Sequence, residues 1–143
     1  MKQWVVDASV GVKWFLDEND REKAIAILDQ MERREIEVII PDIFYLELAN
    51  VFQKGFRKGL IRFEEAQKSF EKIENLPLKR HRHEELFDIA LDNAMIFGIT
   101  TYDAIYLSLA EIYLAPLVTA DEELYKRCRT RFDFIEYLGD IKA

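Results

Sequence analysis

A chain of 143 residues, half hydrophobic and a third charged, has the length and composition of one folded domain with a real core. Its single cysteine, Cys128, excludes an intrachain disulfide, and no apolar run reaches the length that spans a bilayer. The net charge of -7 argues against broad, sequence-blind attraction to nucleic acid, although acids gathered at a metal site count as negative while their ion offsets them.

In chain order, residues 3–6, QWVV, read as a short buried strand ending at Asp7. Ser9 is placed to cap a short helix through about residue 16. Residues 18–35 supply a longer helix in which Ala24, Ile27, Leu28 and Met31 recur at helical spacing. IEVIIP, residues 36–41, is β-branched, apolar and stopped by Pro41, the pattern of a second buried strand. Asp42 opens a helix carrying Phe44, Leu48, Val51 and Phe52 and closed near Gly55 or Gly59. Another helix spans roughly 63–74, and PLKRHR, residues 77–82, suits an edge strand better than a central one. Helices follow at about 83–97 and 101–112, then a core strand in 115–119, a helical 121–128 and a last strand in 132–137.

Short β-branched runs separated by helices predict an α/β layered fold with a mostly parallel central sheet, and residues 1–143 form one domain. Ligands in such folds collect beyond the carboxyl ends of the strands. Asp7 directly follows the first strand, and Thr119 and Asp121 follow the strand PLV. Glu47 lies in the helix after the second strand with Asn50 on the same face, and Asp103 sits in the first turn of its helix, capped by Thr100 or Thr101.

Four segments thus bring an acid toward one end of the sheet. Bare, such a cluster is unfavourable, because like charges raise one another's pKa and oppose burial. A hard dication reverses that cost, since Mg²⁺ and Mn²⁺ take oxygen ligands and need neither cysteine nor histidine. Each acid also has a local reading. Asp7 begins a capping turn with Ser9, Glu47 is a half-exposed helix acid, Asp103 complements a helix dipole, and Asp121 joins a capping box with Thr119 and Glu122.

The order and context of VVDASV, PDIFYLELANVF, TTYDAIYLSLA and PLVTADEEL closely resemble PIN domains, in particular the VapC-like ribonuclease toxins of prokaryotic toxin–antitoxin pairs. The resemblance runs from about residue 4 to residue 125. It implies a three-layer α/β/α sandwich with a central parallel sheet. It implies catalytic acids at Asp7, Glu47, Asp103 and Asp121, which ligate Mg²⁺ or Mn²⁺, with Glu47 acting directly or through water. Ser9, Asn50 and Thr119 would orient ligands or waters from behind them. The implied reaction is hydrolysis of RNA phosphodiesters leaving a 5′-phosphate and a 3′-hydroxyl. Implied partners are the RNA substrate, a cognate antitoxin whose carboxyl-terminal segment covers the cleft, and a second copy of the chain in a homodimer. A further acid near the last site residue is common in relatives, and Glu122 and Glu123 both stand there.

Two other classes compete. Haloacid-dehalogenase-like phosphatases also place an Asp after a strand, but want a second Asp where this chain has Ser9. A non-catalytic RNA- or protein-binding PIN-like domain would keep the acids for structure alone. Basic side chains group in KGFRKGLIR, KRHRH and KRCRTR, which read as solvated surface or as phosphate contacts flanking the cleft. Phe52, Phe56, Leu60 and Phe63 form an apolar series that reads either as a groove for an amphipathic partner segment or as core. His81 and His83 read as surface histidines, and Cys128 as structural or incidental. The first segment turns polar at Asp7, too soon for a signal-peptide core, so a cytoplasmic protein without membrane attachment is expected.

Overall fold

The computed structural model describes residues 1–142. Among them, five strands form one sheet: β1 (Lys2–Val6), β2 (Ile36–Pro41), β3 (Lys79–His81), β4 (Leu117–Thr119) and β5 (Ile135–Tyr137). Their order is β3-β2-β1-β4-β5, and every neighbouring pair is parallel. Parallel pairing demands crossover helices, which cover both faces of the sheet. The central strands accordingly show no inside–outside alternation: Val5, Val6, Val38, Ile39, Ile40, Leu117 and Val118 are all fully buried.

The helices are α1 (Ala8–Gly11), α2 (Arg21–Glu32), α3 (Ile43–Arg57), α4 (Phe63–Glu74), α5 (Phe87–Phe97), α6 (Thr101–Tyr113) and α7 (Glu122–Cys128). Together they make a three-layer α/β/α sandwich, with α6 against β1 and β2, α2 against β2, and α7 against β4 and β5. Every residue of α6 from Ala104 to Ala110 is buried, so its polar members need partners inside the protein. Ser108 finds one in Asn93 of α5, whose amide donates to its hydroxyl at 2.9 Å.

Topology positions the site. The chain steps outward from β1 to β2 and β3, then crosses to the other side of β1 for β4 and β5. The reversal opens a crevice beyond the carboxyl ends of β1 and β4, the place where open α/β sheets bind ligands. Val6 pairs with Val118, which brings Asp7, just past β1, level with Thr119, the last residue of β4.

Several local expectations change. Ser9 does not cap a helix: Asp7 occupies the cap position, and Ser9 lies inside α1. That helix does not reach residue 16 but gives way to a 3₁₀ turn at Val12–Trp14. The early break lets Trp14 fold inward and donate its indole N–H to the Ala24 carbonyl at 2.9 Å. Gly11 permits close contact with α3, since a Cβ there would stand 2.6 Å from the Phe44 ring. The predicted helix over 18–35 is shorter, and the one over 83–97 begins with a 3₁₀ turn at His83–Leu86. Of the two glycines expected to close α3, Gly59 does so with φ 75°, its N–H bonding Phe56 O while Leu60 N–H bonds Gly55 O. The edge strand is confirmed as β3, and no single helix among the described residues is long and apolar enough to cross a membrane.

Candidate active site

Asp7 is the most buried of the acids, 5% exposed. Thr119 Oγ1 donates to its Oδ2 at 2.6 Å, and Ser9 Oγ donates to its Oδ1 at 2.5 Å. Ser9 also accepts the Ala120 N–H at 2.9 Å, which ties α1 to the loop after β4. Burial pushes the Asp7 carboxyl from 3.8 up to about 6, and the charge of Asp103 adds to the rise; the Ser9 and Thr119 bonds oppose it without cancelling it. The side-chain donors to this deeply sunk carboxyl are both neutral hydroxyls.

Thr119 has a second task. Its hydroxyl oxygen accepts the Asp121 N–H at 3.1 Å, so one side chain holds both the buried acid and the next turn of chain. Asp121 caps α7, accepting the Leu124 N–H at 3.1 Å on Oδ1. The sequence offered capping as an alternative to a site role, and the structure gives Asp121 the cap together with a place in a cleft. That cleft, about 230 Å³, is lined by Thr100, Asp103, Asp121, Glu123 and Arg127, among others.

Asp103 follows its Thr100 cap, whose hydroxyl accepts the Asp103 N–H at 3.1 Å. Burial raises its pKa, and the Asp121 charge raises it further. Glu47 is half-buried on α3; burial raises its pKa, and so does Asp103, while a hydrogen bond from Tyr106 lowers it. Asp103 is therefore the hub, feeling or felt by Asp7, Glu47 and Asp121. Among the described residues no three acidic, histidine or cysteine side chains are drawn tightly enough together to cage an ion. Mutual repulsion between bare carboxylates favours such an open arrangement, and Mg²⁺, which keeps several waters, suits it.

Asn50 is exposed and shares a groove with Glu47, Leu46, Gln53 and Tyr102. Of the two unassigned acids, Glu122 pairs with Lys126 at 2.8 Å, whereas Glu123 reaches the cleft and pairs with Arg127 at 3.1 Å. Two further residues join the site. Arg127 comes from KRCRTR, one of the basic runs offered as flanking the cleft, and is anchored by Glu123 and by the Gly98 carbonyl at 3.1 Å. Tyr106 lies one turn beyond Asp103 and donates its hydroxyl to Glu47 Oε1 at 2.5 Å; its spacing from Asp103 was the available signal.

The PIN domain profile matches residues 4–129. The chain belongs to the PIN domain family. Ribonuclease VapC3 of Pyrobaculum aerophilum is 33% identical over 125 residues, covering 86% of this chain and 92% of that one. Among solved structures, the PAE2754 protein of Pyrobaculum aerophilum superposes with a TM-score of 0.69 at 26% identity, covering 88% of this chain and 79% of that one. A toxin–antitoxin complex from Klebsiella pneumoniae superposes with a TM-score of 0.66 at 12% identity, covering 96% of this chain and 98% of that one. In this PIN domain Asp7 follows β1 at the point where the strand order reverses, and the charge of Asp103 links it to Glu47 and Asp121.

Its donor chemistry fits a hard dication: carboxylates, hydroxyls and an amide. The softer ligands are buried or bonded to other groups. Burial and then the Asp103 charge push the Cys128 thiol up to about 11, His81 contacts the Tyr113 hydroxyl at 3.3 Å, and His83 bonds Asp42.

Proposed function

We propose that this PIN domain is a Mg²⁺- or Mn²⁺-dependent endoribonuclease, the cytoplasmic toxin of a toxin–antitoxin pair. The observation that carries the reading is Asp7: a buried carboxylate at the sheet switch point, held by two hydroxyls and charge-coupled to Asp103. A relative named as a ribonuclease at 33% identity supports the reaction class.

Asp7, Asp103 and Asp121 would hold the ion, with Glu47 acting directly or through water. An ion held there would supply a lowered pKa for water and would offset charge developing on phosphate oxygens. Ser9 and Thr119 keep the Asp7 oxygens from rotating, which fixes the donor set before substrate arrives. Arg127 presents guanidinium N–H groups at the cleft, where they would grip a phosphate and place the strand without reading its bases. Asn50 offers its amide at the open side of the Glu47 groove.

Two partner surfaces are in keeping with the toxin reading. Ala49, Phe52, Phe56, Phe63, Ala66 and Phe70 line an apolar groove of about 410 Å³ between α3 and α4, suited to an amphipathic antitoxin segment. In the expected aromatic series, Phe52 is buried while Phe56, Leu60 and Phe63 stay exposed. A homodimer would cover a second row, on α5, whose side chains are likewise exposed.

Purified protein incubated with structured and single-stranded RNAs, with and without EDTA, tests the reaction. Cleavage is expected with Mg²⁺ or Mn²⁺, and should fall roughly a thousandfold in Asp103→Asn, about 4 kcal/mol of transition-state stabilisation. Full cleavage by Asp103→Asn overturns the proposal. Metal binding without turnover leaves a non-catalytic RNA- or protein-binding domain. Co-expression with the gene immediately upstream asks whether its product forms a complex and suppresses cleavage.

A further inference from the structure

Tyr106 is 2% exposed and among the largest fully buried side chains of the protein. Phenylalanine would fill the same space between α6 and the sheet without bringing a hydroxyl into the core. Burying that hydroxyl is unfavourable unless it is bonded. Its partner is no neighbour on α6 but Glu47 Oε1, on α3, at 2.5 Å and 59 positions away in sequence. Tyr106 also stands one turn from Asp103, so the same bond links the helix that carries Asp103 to the helix that carries Glu47. The phenol takes Oε1 and leaves Oε2 for a cation or a water. A carboxylate on a helix surface otherwise samples several rotamers, and each must be frozen when an ion arrives.

Resting on the metal-site reading above, we infer that Tyr106 is a positioning residue: its hydroxyl sets the Glu47 carboxylate at a fixed distance from Asp103, and so preorganises the site for its divalent ion. Tyr106 touches neither ion nor substrate in this role. Its effect passes entirely through Glu47, and this separates the role from packing. A packing residue affects the fold whichever side chain stands at position 47, whereas a positioning residue loses its effect once Glu47 is changed.

The test is Mn²⁺ binding to the purified apoprotein, measured by titration calorimetry for wild type, Tyr106→Phe, Glu47→Gln and the double variant, with thermal melts alongside. Tyr106→Phe should weaken Mn²⁺ binding roughly tenfold. In the Glu47→Gln background the same change should cause no further loss. Glu47→Asp withdraws the carboxylate from the phenol by one methylene without touching the buried ring, and should show a similar loss that Tyr106→Phe does not deepen. Wild-type affinity in Tyr106→Phe overturns the inference, as does an equal loss in both backgrounds, which would mark a packing effect. Unchanged Mn²⁺ affinity in Asp103→Asn would instead overturn the metal-site reading, and this inference with it.

Discussion

Thr119 donates its hydroxyl to Asp7 across the β1–β4 junction at 2.6 Å while the same oxygen accepts the Asp121 N–H at 3.1 Å. One hydroxyl thus couples two of the acids through a side chain that is itself fully buried. Parallel register makes this possible: Val6 opposite Val118 sets the two following residues side by side at the carboxyl end of the sheet. A β-branched side chain at the end of a core strand supplies the stiffness, and its hydroxyl supplies the link.

Thr119→Val keeps the shape and removes the link. Asp7 then loses a donor that lowers its pKa, so its carboxyl should rise further above 6, and the Asp121 N–H loses its acceptor. The expected result is a roughly ten- to hundredfold loss in metal affinity and in RNA cleavage. A full pH–rate profile checks it: the acid limb should move to higher pH in the variant. An unchanged profile would make Thr119 a spectator.

Much of this arrangement was legible in the sequence, for reasons that differ between elements. IEVIIP and PLV are strongly β-branched runs with clear stops, and the acids after strands point to the crevice through topology alone. Helix-start chemistry offered Thr100 or Thr101 as the cap, and Thr100 takes it. What failed was governed by contacts distant in sequence. Ser9 looked like a cap because nothing local shows that its hydroxyl, while donating to Asp7, accepts the N–H of Ala120 from the far end of the chain. The α1 helix stops short because Trp14 and Ala24 are neighbours only after folding. Tyr106 drew no reading from the sequence, because its bond to Glu47 depends on how α3 and α6 pack.

The approach of α1 to α3 gives a stability prediction. A Cβ at position 11 would meet Phe44 ring atoms at 2.6 and 2.8 Å, and Phe44 is fully buried, with no room to retreat. Gly11→Ala should destabilise the protein by roughly 1–3 kcal/mol, the usual effect of overpacking a core. Denaturant unfolding measures it. A melt equal to wild type would mean that α3 can shift to accommodate the methyl.

On α5, Phe87, Leu91 and Met95 recur every four residues and are 52%, 52% and 68% exposed. Such a row lies along one face of the helix. Tyr102, which lines one pocket with Phe87 and another with Leu46, continues it toward α3. A contiguous apolar strip of this kind marks an interaction surface, and a second copy of the chain is the expected occupant. Sedimentation velocity at tens of micromolar should give a dimer for wild type and a monomer for Leu91→Glu. A wild-type monomer at that concentration would remove the homodimer from the account.

The strongest pH prediction concerns Asp7 in the protein stripped of metal. Its folded pKa, about 6, lies above the unfolded value of 3.8, so the folded state holds the proton more tightly. The contribution to stability is fully present below about pH 4 and is lost as pH rises through 6. Fully lost, it amounts to roughly 3 kcal/mol. Asp103 and Glu47 are raised as well and act in the same direction, whereas Asp42, lowered by its His83 bonds against the opposing effect of burial, acts only at more acid pH. The apoprotein should therefore melt lower at pH 7.5 than at pH 5. Asp7→Asn should flatten that slope and raise the melting temperature at pH 7.5, while abolishing cleavage. Added Mg²⁺ or Mn²⁺ should restore stability at pH 7.5 in wild type and much less in Asp7→Asn, because the ion acts on the same buried charge. A melting temperature that is flat from pH 5 to 7.5 without metal would mean that the Asp7 carboxylate is compensated by the protein itself and does not await a cation.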